Sequence, residues 1–260
     1  MMAGKARMYG RFSLKGRDFV GELAGGKVSE IKDSSMEELI ELSPGHRSQT
    51  HRLSELRVLA PLERPSKMVC IGLNYRSHIR EMGWDTPVEP IIFSKPSSSI
   101  IGPDDHIVLP AASKRVDYEG ESAIVIGKRA TRVSHGSKYI FGYTCINDVT
   151  ARDLQEKDVD WTRAKGFDTF APMGPYISTA PPTTVTTRLN GKVVQRSALD
   201  DRVFQDAALV EYISTVMTLK PGDVIATGTP SGIGKLAPGD TVEVDLDTVG
   251  TLRNRVFKSR

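Results

Sequence analysis

Two glutamates, Glu119 and Glu121, are separated by a single residue in the apolar run 116–126, which has the pattern of a β-strand. Residues two apart on a strand point to the same side, so the two carboxylates are expected side by side. Carboxylates that close repel each other in a partly buried site, and a divalent cation would neutralise them. Gly120, between them, leaves room for backbone or ligand to approach.

Asp148 ends the next apolar run, 143–149, and would bring a third carboxylate to the mouth of a strand. Three carboxylates without a neighbouring histidine or cysteine favour a hard ion, Mg²⁺ or Mn²⁺, over zinc. The alternative is a solvated strand edge that carries acids to block aggregation. The local pattern leaves both interpretations open.

The composition bounds the class of protein. The chain has 260 residues, a formal net charge of +3 and 39% hydrophobic residues, which suits one large domain with a small appendage. Basic residues are scattered, so we expect no nucleic-acid partner. We also expect no membrane span and no signal core, and therefore a cytoplasmic protein. Cys70 and Cys145 lie in strand-like runs and are expected to be buried free thiols.

The first 60 residues predict a small α+β unit. Strand patterns on both sides of Gly25-Gly26 indicate a hairpin, and Ser35 is the expected N-cap of a short helix. That helix should end by Ser43-Pro44-Gly45, and the polar residues 44–54 are interpreted as a linker or exposed loop. A boundary near residue 60 then separates this unit, 1–60, from the main domain, 61–260.

The main domain is rich in short strands punctuated by Gly and Pro. We predict strands at 68–72, 91–93 and 107–109 and a helix over 76–82. Asp206 should cap an amphipathic helix whose buried face carries these apolar residues: Leu209, Val210, Ile213, Val216 and Met217. Two Leu-x-Pro-Gly-Asp turns, at 219–223 and 236–240, should each launch a strand. The fold class is therefore mixed α/β and β-dominated, with a barrel or sandwich-like core.

Six segments, in this order, resemble those of the fumarylacetoacetate hydrolase superfamily. Together they extend over about residues 60–257, and six ordered matches are more specific than any one of them. Ser122 departs from the family pattern, which usually has an apolar residue there, and should face away from the carboxylates. The segments are IGLNYRSH at 71–78, FSKPSSS at 93–99, DYEGESAIVIG at 117–127, NDVTARDLQ at 147–155, AKGFDTF at 164–170 and TGTPSGIG at 227–234.

The resemblance implies a rolled, mixed β-sheet barrel with few helices and a metal at one open end. It implies Glu119, Glu121 and Asp148 as the ligands, in agreement with the electrostatic argument. Family members are commonly homodimers, and a small N-terminal unit is a frequent variable addition. We therefore expect a homodimer that binds Mg²⁺ or Mn²⁺.

His78 and Glu81 are three residues apart and would share a face of the predicted helix 76–82. A carboxylate that orients a histidine makes it a better general base. By themselves the two would be a surface pair on a charged helix. The resemblance implies more, because relatives carry such a His-x-x-Glu pair on a lid segment that activates water.

Four residues are candidates for substrate binding, and one more for catalysis. Arg152 and Gln155 follow Asp148 by one helical turn and would hold a carboxylate and a carbonyl or water; otherwise they are polar residues of a helix face. Thr229 lies in a glycine-rich turn whose amides would receive a carboxylate, and Lys95 would add charge. Lys165 is assigned to oxyanion stabilisation from the matched segment 164–170.

These groups suit a small 2-oxo acid that chelates the metal through its carboxylate and keto oxygens, because the metal would stabilise an enolate. The retained His78 and Glu81 favour hydrolysis of a C–C bond in an acylpyruvate-like β-diketo acid. Decarboxylation or isomerisation in aromatic-acid catabolism would use the same pocket, with oxaloacetate, 5-oxopent-3-ene-1,2,5-tricarboxylate or 2-hydroxyhepta-2,4-diene-1,7-dioate as substrate. A non-catalytic, metal-dependent dimer that only binds carboxylates would need no general base.

Overall fold

The computed structural model describes residues 6–32, 34–42 and 46–259. Within these residues the chain forms three sheets and five α-helices, so the expected β-dominated mixed fold is confirmed. The two outer strands of the largest sheet do not pair with each other in the described part of the chain. This sheet is therefore open, and the expected barrel is not closed.

The largest sheet has twelve strands within the described residues. They are β1 (Met8–Leu14), β2 (Arg17–Ala24), β3 (Lys27–Ile31), β4 (Arg47–Arg52), β5 (Arg57–Leu59), β6 (Met68–Gly72), β7 (Ile91–Lys95), β8 (Ile100–Ile101), β11 (Gly120–Ile126), β12 (Ile140–Asn147), β14 (Ala171–Ser178) and β17 (Val224–Ala226). Ten run in the order β4-β3-β2-β1-β14-β12-β11-β17-β6-β7, while β5 pairs with β1 and β8 with β14. The pairs β17–β6 and β14–β8 are parallel, which makes the sheet mixed.

Two smaller sheets and the helices complete the chain. The three-stranded sheet has the order β13 (Thr150–Ala151), β10 (Val116–Tyr118), β18 (Gly234–Lys235). The five-stranded sheet has the order β16 (Lys192–Ala198), β15 (Thr184–Leu189), β19 (Thr241–Leu246), β20 (Gly250–Lys258), β9 (His106–Leu109). The helices are α1 (Met36–Leu42), α2 (Arg76–Met82), α3 (Arg152–Lys157), α4 (Thr162–Lys165) and α5 (Asp206–Val216).

The main core lies between the large sheet, the five-stranded sheet and α5. Leu209, Val210 and Ile213 of α5 are buried there, as expected. Val216 is 55% exposed, contrary to the prediction, because the helix ends at this residue and Met217 is already extended. Asp206 is not the N-cap either: Gln205 occupies that position, and Asp206 accepts a hydrogen bond from Arg202.

The predicted local signals of the N-terminal segment are present. Gly25 and Gly26 join β2 to β3 with φ of 56° and 73°. Ser35 forms a capping box, since its Oγ accepts from the Glu38 N–H at 3.1 Å and its own N–H donates to Glu38 Oε2 at 2.8 Å. The predicted helix terminator, residues 43–45, lies outside the described residues.

The predicted linker over 44–54 is wrong for most of its length. Residues 47–52 form β4, which pairs with β3, and a 3₁₀ turn follows at 53–55. Because an edge strand is held by backbone hydrogen bonds and can be polar on both faces, it left no hydrophobic pattern to detect. Through β1 and β14 these N-terminal strands continue the large sheet. The domain division at residue 60 stays a prediction.

Both cysteines are buried and free, as expected. Within the described residues, no helix combines the length and the apolar character that crossing a bilayer requires.

One antiparallel strand pair changes sheets along its length. The ladder pairs Asp117 with Thr150 in the three-stranded sheet and Gly120 with Asn147 in the large sheet. The residues between, which include Glu119 and Asp148, belong to neither ladder, although the Asp148 N–H donates to the Glu119 carbonyl at 2.8 Å. The continuous strand predicted over 116–126 is thus broken at Glu119, into β10 and β11. Glu119 and Asp148 lie at this break.

Buried Asp223 ties β17 to the segment before β6. Its carboxylate accepts hydrogen bonds from Ser66 Oγ at 2.5 Å, from the Lys67 N–H at 3.1 Å and from the Lys220 N–H at 2.7 Å. Asp240 occupies the same position in the second Leu-x-Pro-Gly-Asp turn, where it is partly exposed and accepts from Ala237 and Asn190. The two turns form a natural matched pair.

We expect Asp223→Ala to lower the free energy of unfolding by about 3 kcal/mol, because several donors, including the charged Lys67, lose a fully buried acceptor. Asp240→Ala should cost about 1 kcal/mol, since water replaces its partners. Urea denaturation with an unchanged m-value measures both. Equal losses in the two variants would contradict the importance assigned to burial.

Candidate functional site

Three buried carboxylates converge where the strand pair changes sheets. Glu119, Glu121 and Asp148 are 5%, 2% and 1% exposed, and one oxygen of each lies within 4.8 Å of one oxygen of the others. Glu121 follows Gly120 at the start of β11, and Asp148 follows the end of β12. The structure therefore brings together the three acidic residues that the sequence singled out.

Three cations surround two of these carboxylates. Lys165 Nζ donates to Glu119 Oε2 at 2.8 Å and to Asp148 Oδ2 at 2.7 Å. Lys95 Nζ donates to Asp148 Oδ1 at 2.7 Å, and Arg152 Nη2 donates to Glu119 Oε1. Every carboxylate oxygen of Glu119 and Asp148 thus has a cationic hydrogen-bond donor. The two lysines are each 2% exposed, so these contacts are screened little by solvent.

Glu121 differs from its two neighbours. It accepts a hydrogen bond from the Gly228 N–H at 2.7 Å, and no lysine or arginine of the described residues forms a salt bridge with it. Burial, with the charges of Asp148 and Glu119 added, raises the pKa of Glu121 well above its usual value. Burial acts in the same direction on Glu119, but Lys165 and Arg152 outweigh it and lower that pKa. Among the three carboxylates, Glu121 alone has no cationic partner within the described residues.

A divalent cation would give Glu121 the positively charged partner that it lacks. The ligand set consists only of carboxylate oxygens, which Mg²⁺ and Mn²⁺ prefer. Carboxylate oxygens have several lone-pair sites, so hydrogen bonds from lysine leave room for coordination. Glu119, Glu121 and Asp148 are the residues that would hold the ion, and a pocket lies above them. The alternative of a solvated strand edge is wrong, because all three side chains are buried.

Lys165 behaves as a fixed cation. Burial alone would lower its pKa, but the negative charges of Asp148 and Glu119 outweigh burial and raise it. The ammonium group therefore stays protonated at neutral pH. It is suited to stabilising negative charge on a ligand and unsuited to accepting a proton.

His78 and Glu81 form a pair on α2, and His78 lines the pocket that the three carboxylates also line. His78 is 7% exposed, and its Nδ1 lies 2.9 Å from Glu81 Oε2. The other oxygen of Glu81 accepts from the Gly232 N–H at 2.8 Å, which fixes the carboxylate from behind. His78 is thus buried, whereas Glu81 lies at the surface with its side chain 32% exposed. With Nδ1 bound to Glu81, Nε2 is the ring nitrogen left for the pocket.

The predicted substrate-binding residues lie in the pocket wall or directly beneath it, but most are engaged by the protein. Arg152 donates to Glu119, to Gln155 Oε1 and, through Nε, to Asp117 at 3.0 Å. Thr229 donates its hydroxyl to the Gly120 carbonyl at 3.0 Å. Their geometry supports positioning of the carboxylates at least as well as contact with a substrate.

Three site residues received no role from the sequence. Asp117 is fully buried and fixes Arg152, and Asn147 Oδ1 accepts from the Glu119 N–H at 2.9 Å. Asp117 and Asn147 lie inside two of the segments that resemble the family, and this position was the sequence feature that could have identified them as site residues. Gln195 of β16 accepts from the Gly120 N–H at 3.0 Å and donates to Thr229 Oγ1 at 2.8 Å. No local pattern marked it, because it comes from another sheet.

The pocket above the carboxylates has a volume of about 120 Å³. Since a water needs roughly 10–15 Å³ on the same measure, the pocket is large enough for a metal ion together with a small acid. Its lining combines the acids, Lys165, Arg152, Gln155, His78 and Thr229 with an apolar wall. The apolar members are Ile71, Leu73, Met82, Trp84, Phe93 and Trp161.

Comparison with known proteins places this site in a family. The family described as fumarylacetoacetate (FAA) hydrolase C-terminal matches residues 67–257. The chain is 42% identical over 219 residues to the mitochondrial oxaloacetate tautomerase Fahd2a of Rattus norvegicus, covering 78% of this chain and 70% of that protein.

Solved structures agree in fold. The 2-hydroxyhepta-2,4-diene-1,7-dioate isomerase of Mycobacterium marinum superposes with a TM-score of 0.87 at 39% identity, over 97% of this chain and 99% of that one. The 5-carboxymethyl-2-hydroxymuconate delta-isomerase of Mycobacterium smegmatis gives 0.87 at 40% identity, over 97% and 100%. The chain belongs to the fumarylacetoacetate hydrolase family of enzymes.

Proposed function

We propose that the chain is a divalent-metal-dependent enzyme that moves a proton at the carbon next to the keto group of a small 2-oxo acid. The observation that carries this proposal is the buried carboxylate triad, whose Glu121 has no cationic partner, in the same pocket as His78, which is paired with Glu81. Relatives named as a tautomerase and as isomerases support proton transfer. Mg²⁺ or Mn²⁺ is the proposed ion.

A bound divalent cation supplies Lewis-acid polarisation of the keto oxygen. His78 Nε2 then takes a proton from C3, and Glu81 stabilises the imidazolium that forms. The protonated Lys165 stabilises negative charge on the acid. Delivery of the proton to the enolate oxygen gives the enol, and the reverse sequence, from the enol hydroxyl to C3, gives the keto form. Delivery to another carbon of a conjugated acid moves the double bond instead.

Hydrolysis of an acylpyruvate is the second candidate, and the His78–Glu81 pair favours it. Here His78 would take a proton from water as the oxygen attacks the distal carbonyl. The C3–C4 bond then breaks, its electron pair stays on the 2-oxo acid, and C3 takes a proton. The predicted hydrolase activity, the homodimer and the cytoplasmic location stay predictions.

Glu121→Gln should abolish stabilisation by metal while leaving the fold intact. Without metal the variant should be at least as stable as the parent, because one uncompensated buried charge is removed. At a Mn²⁺ concentration of one hundred times the dissociation constant, the parent should gain about 2.7 kcal/mol. Thermal unfolding with and without Mn²⁺ measures this, and Glu156→Gln, in the exposed rim, is the control. Full metal stabilisation of the Glu121 variant would refute the ligand assignment.

His78→Ala should lower kcat for proton transfer by about 10²–10⁴-fold, the usual contribution of a general base. We would follow conversion of enol to keto oxaloacetate, and C–C cleavage of acylpyruvates, with Mg²⁺ and with Mn²⁺. Glu81→Gln should give a smaller loss, since the amide still orients the ring without stabilising its positive charge. Undiminished turnover in His78→Ala would remove the histidine from the mechanism.

The panel should also include hydroxymuconate-type acids. Turnover by proton transfer without cleavage would select the first candidate, and cleavage of acylpyruvates would select the second. A metal-loaded protein that turns over none of these acids would leave only the non-catalytic carboxylate-binding alternative.

A further inference from the structure

Both tryptophans of the chain, Trp84 and Trp161, line the same pocket. Trp84 follows α2 and is 52% exposed, which is unusual for so large an apolar side chain. Met82 and Phe93 stand beside them in the lining. An exposed aromatic surface in a concave site is typical of a place where a ligand is held.

The aromatic rings of the pocket contact Lys165 and one another. Lys165 Nζ lies 5.0 Å from the centroid of the Phe93 ring. Trp161 packs edge-on against Phe93, with ring centroids 5.3 Å apart. Gly72 backs Trp161 so closely that a Cβ there would lie 2.9 Å from Cζ3. Phe93 and Trp161 therefore form a continuous apolar surface, of which Phe93 contacts Lys165.

The charges of the pocket are concentrated at its inner end. Its lining contains two permanently cationic side chains within the described residues, Lys165 and Arg152, and both are paired with the carboxylates of the site. The outer lining adds Glu156, an acid. A second carboxylate at the far end of a substrate would meet aromatic rings and a like charge, and would lose hydration without gaining a partner.

We propose that this wall is a subsite for an uncharged apolar tail, so that the preferred substrate is a 2-oxo acid with an aromatic or branched aliphatic end and not a short diacid. The inference rests on the proposed function for the orientation of the 2-oxo acid head towards Glu119, Glu121 and Asp148. Trp84 and Trp161 are then the residues that determine specificity. Flat rings bury a large apolar area on such a tail with little loss of side-chain freedom.

The test compares three acids with the same head and an exchangeable C3: 2-oxobutanoate, 2-oxopentanedioate and 4-phenyl-2-oxobutanoate. Proton NMR measures exchange at C3 in D₂O with the Mg²⁺-loaded protein. We expect kcat/KM for the phenyl acid to exceed that for the diacid by about tenfold or more, the size expected when one group fills an apolar pocket. Trp161→Ala should reduce this ratio about tenfold, through KM.

Trp84→Ala is the second variant, because removing a half-exposed side chain leaves the core intact, and it should shift the ratio in the same direction. Phe257→Ala, a half-exposed aromatic residue outside the pocket that stacks on His106, is the matched control and should leave the ratio unchanged. Equal kcat/KM values for the phenyl acid and the diacid would overturn the subsite.

Calorimetric titration of the same acids separates the two proposals. If none of the acids exchanges its C3 protons, the proposed function fails, yet tighter binding of the phenyl acid that Trp161→Ala abolishes would still support the subsite. If the acids exchange but bind and react alike, the proposed function stands and the apolar subsite is rejected.

Discussion

The burial of three carboxylates in one place is the constraint on which the rest of the site depends. Each carboxylate would cost several kcal/mol to bury alone, so each needs a partner fixed in position. Lys95 and Lys165 supply two cations, and Arg152 supplies a third that Asp117 in turn holds. Only Glu121 is left with a neutral donor. The protein therefore pairs two of the three carboxylates with cations and leaves Glu121 as the one that a bound cation would pair.

The fold meets this constraint by letting one strand pair belong to two sheets. At the change of sheet, Glu119 and Asp148 leave their ladders, and their side chains turn towards one centre while Asn147 and Gln195 take over the free backbone groups. If the strand pair had continued without a break, Glu119 and Asp148 would have stayed in its ladder, and their side chains could not both have turned towards this centre. The same break explains why the acids are deeply buried and yet reach a pocket.

Local patterns predicted α2, the Ser35 N-cap and many of the strands. They made the acidic cluster only one of two interpretations, and the resemblance of six ordered segments identified it as a metal site. The sequence missed what depends on contacts between distant segments. The strand break at Glu119 is set by pairing with β13 and β18, and β4 is held by backbone bonds that leave no hydrophobic pattern. Gln195 likewise reaches the site only because its own sheet packs against Gly120 and Thr229. Trp161 reaches the pocket because Gly72 packs against its ring. Their chemistry is visible in sequence, but their location is not.

The pocket divides into two halves that act on different parts of a ligand. Charge-dense groups at the inner end suit a 2-oxo acid head, and they are fixed by buried hydrogen bonds that tolerate little change. The outer wall is held by ring packing and one close glycine contact, Gly72 against Trp161. Substitutions there alter shape and apolar area without disturbing the charge balance of Glu119, Glu121 and Asp148. Trp84 and Trp161 can consequently be substituted with little effect on the charged groups, whereas Phe93 contacts Lys165 and joins the two halves.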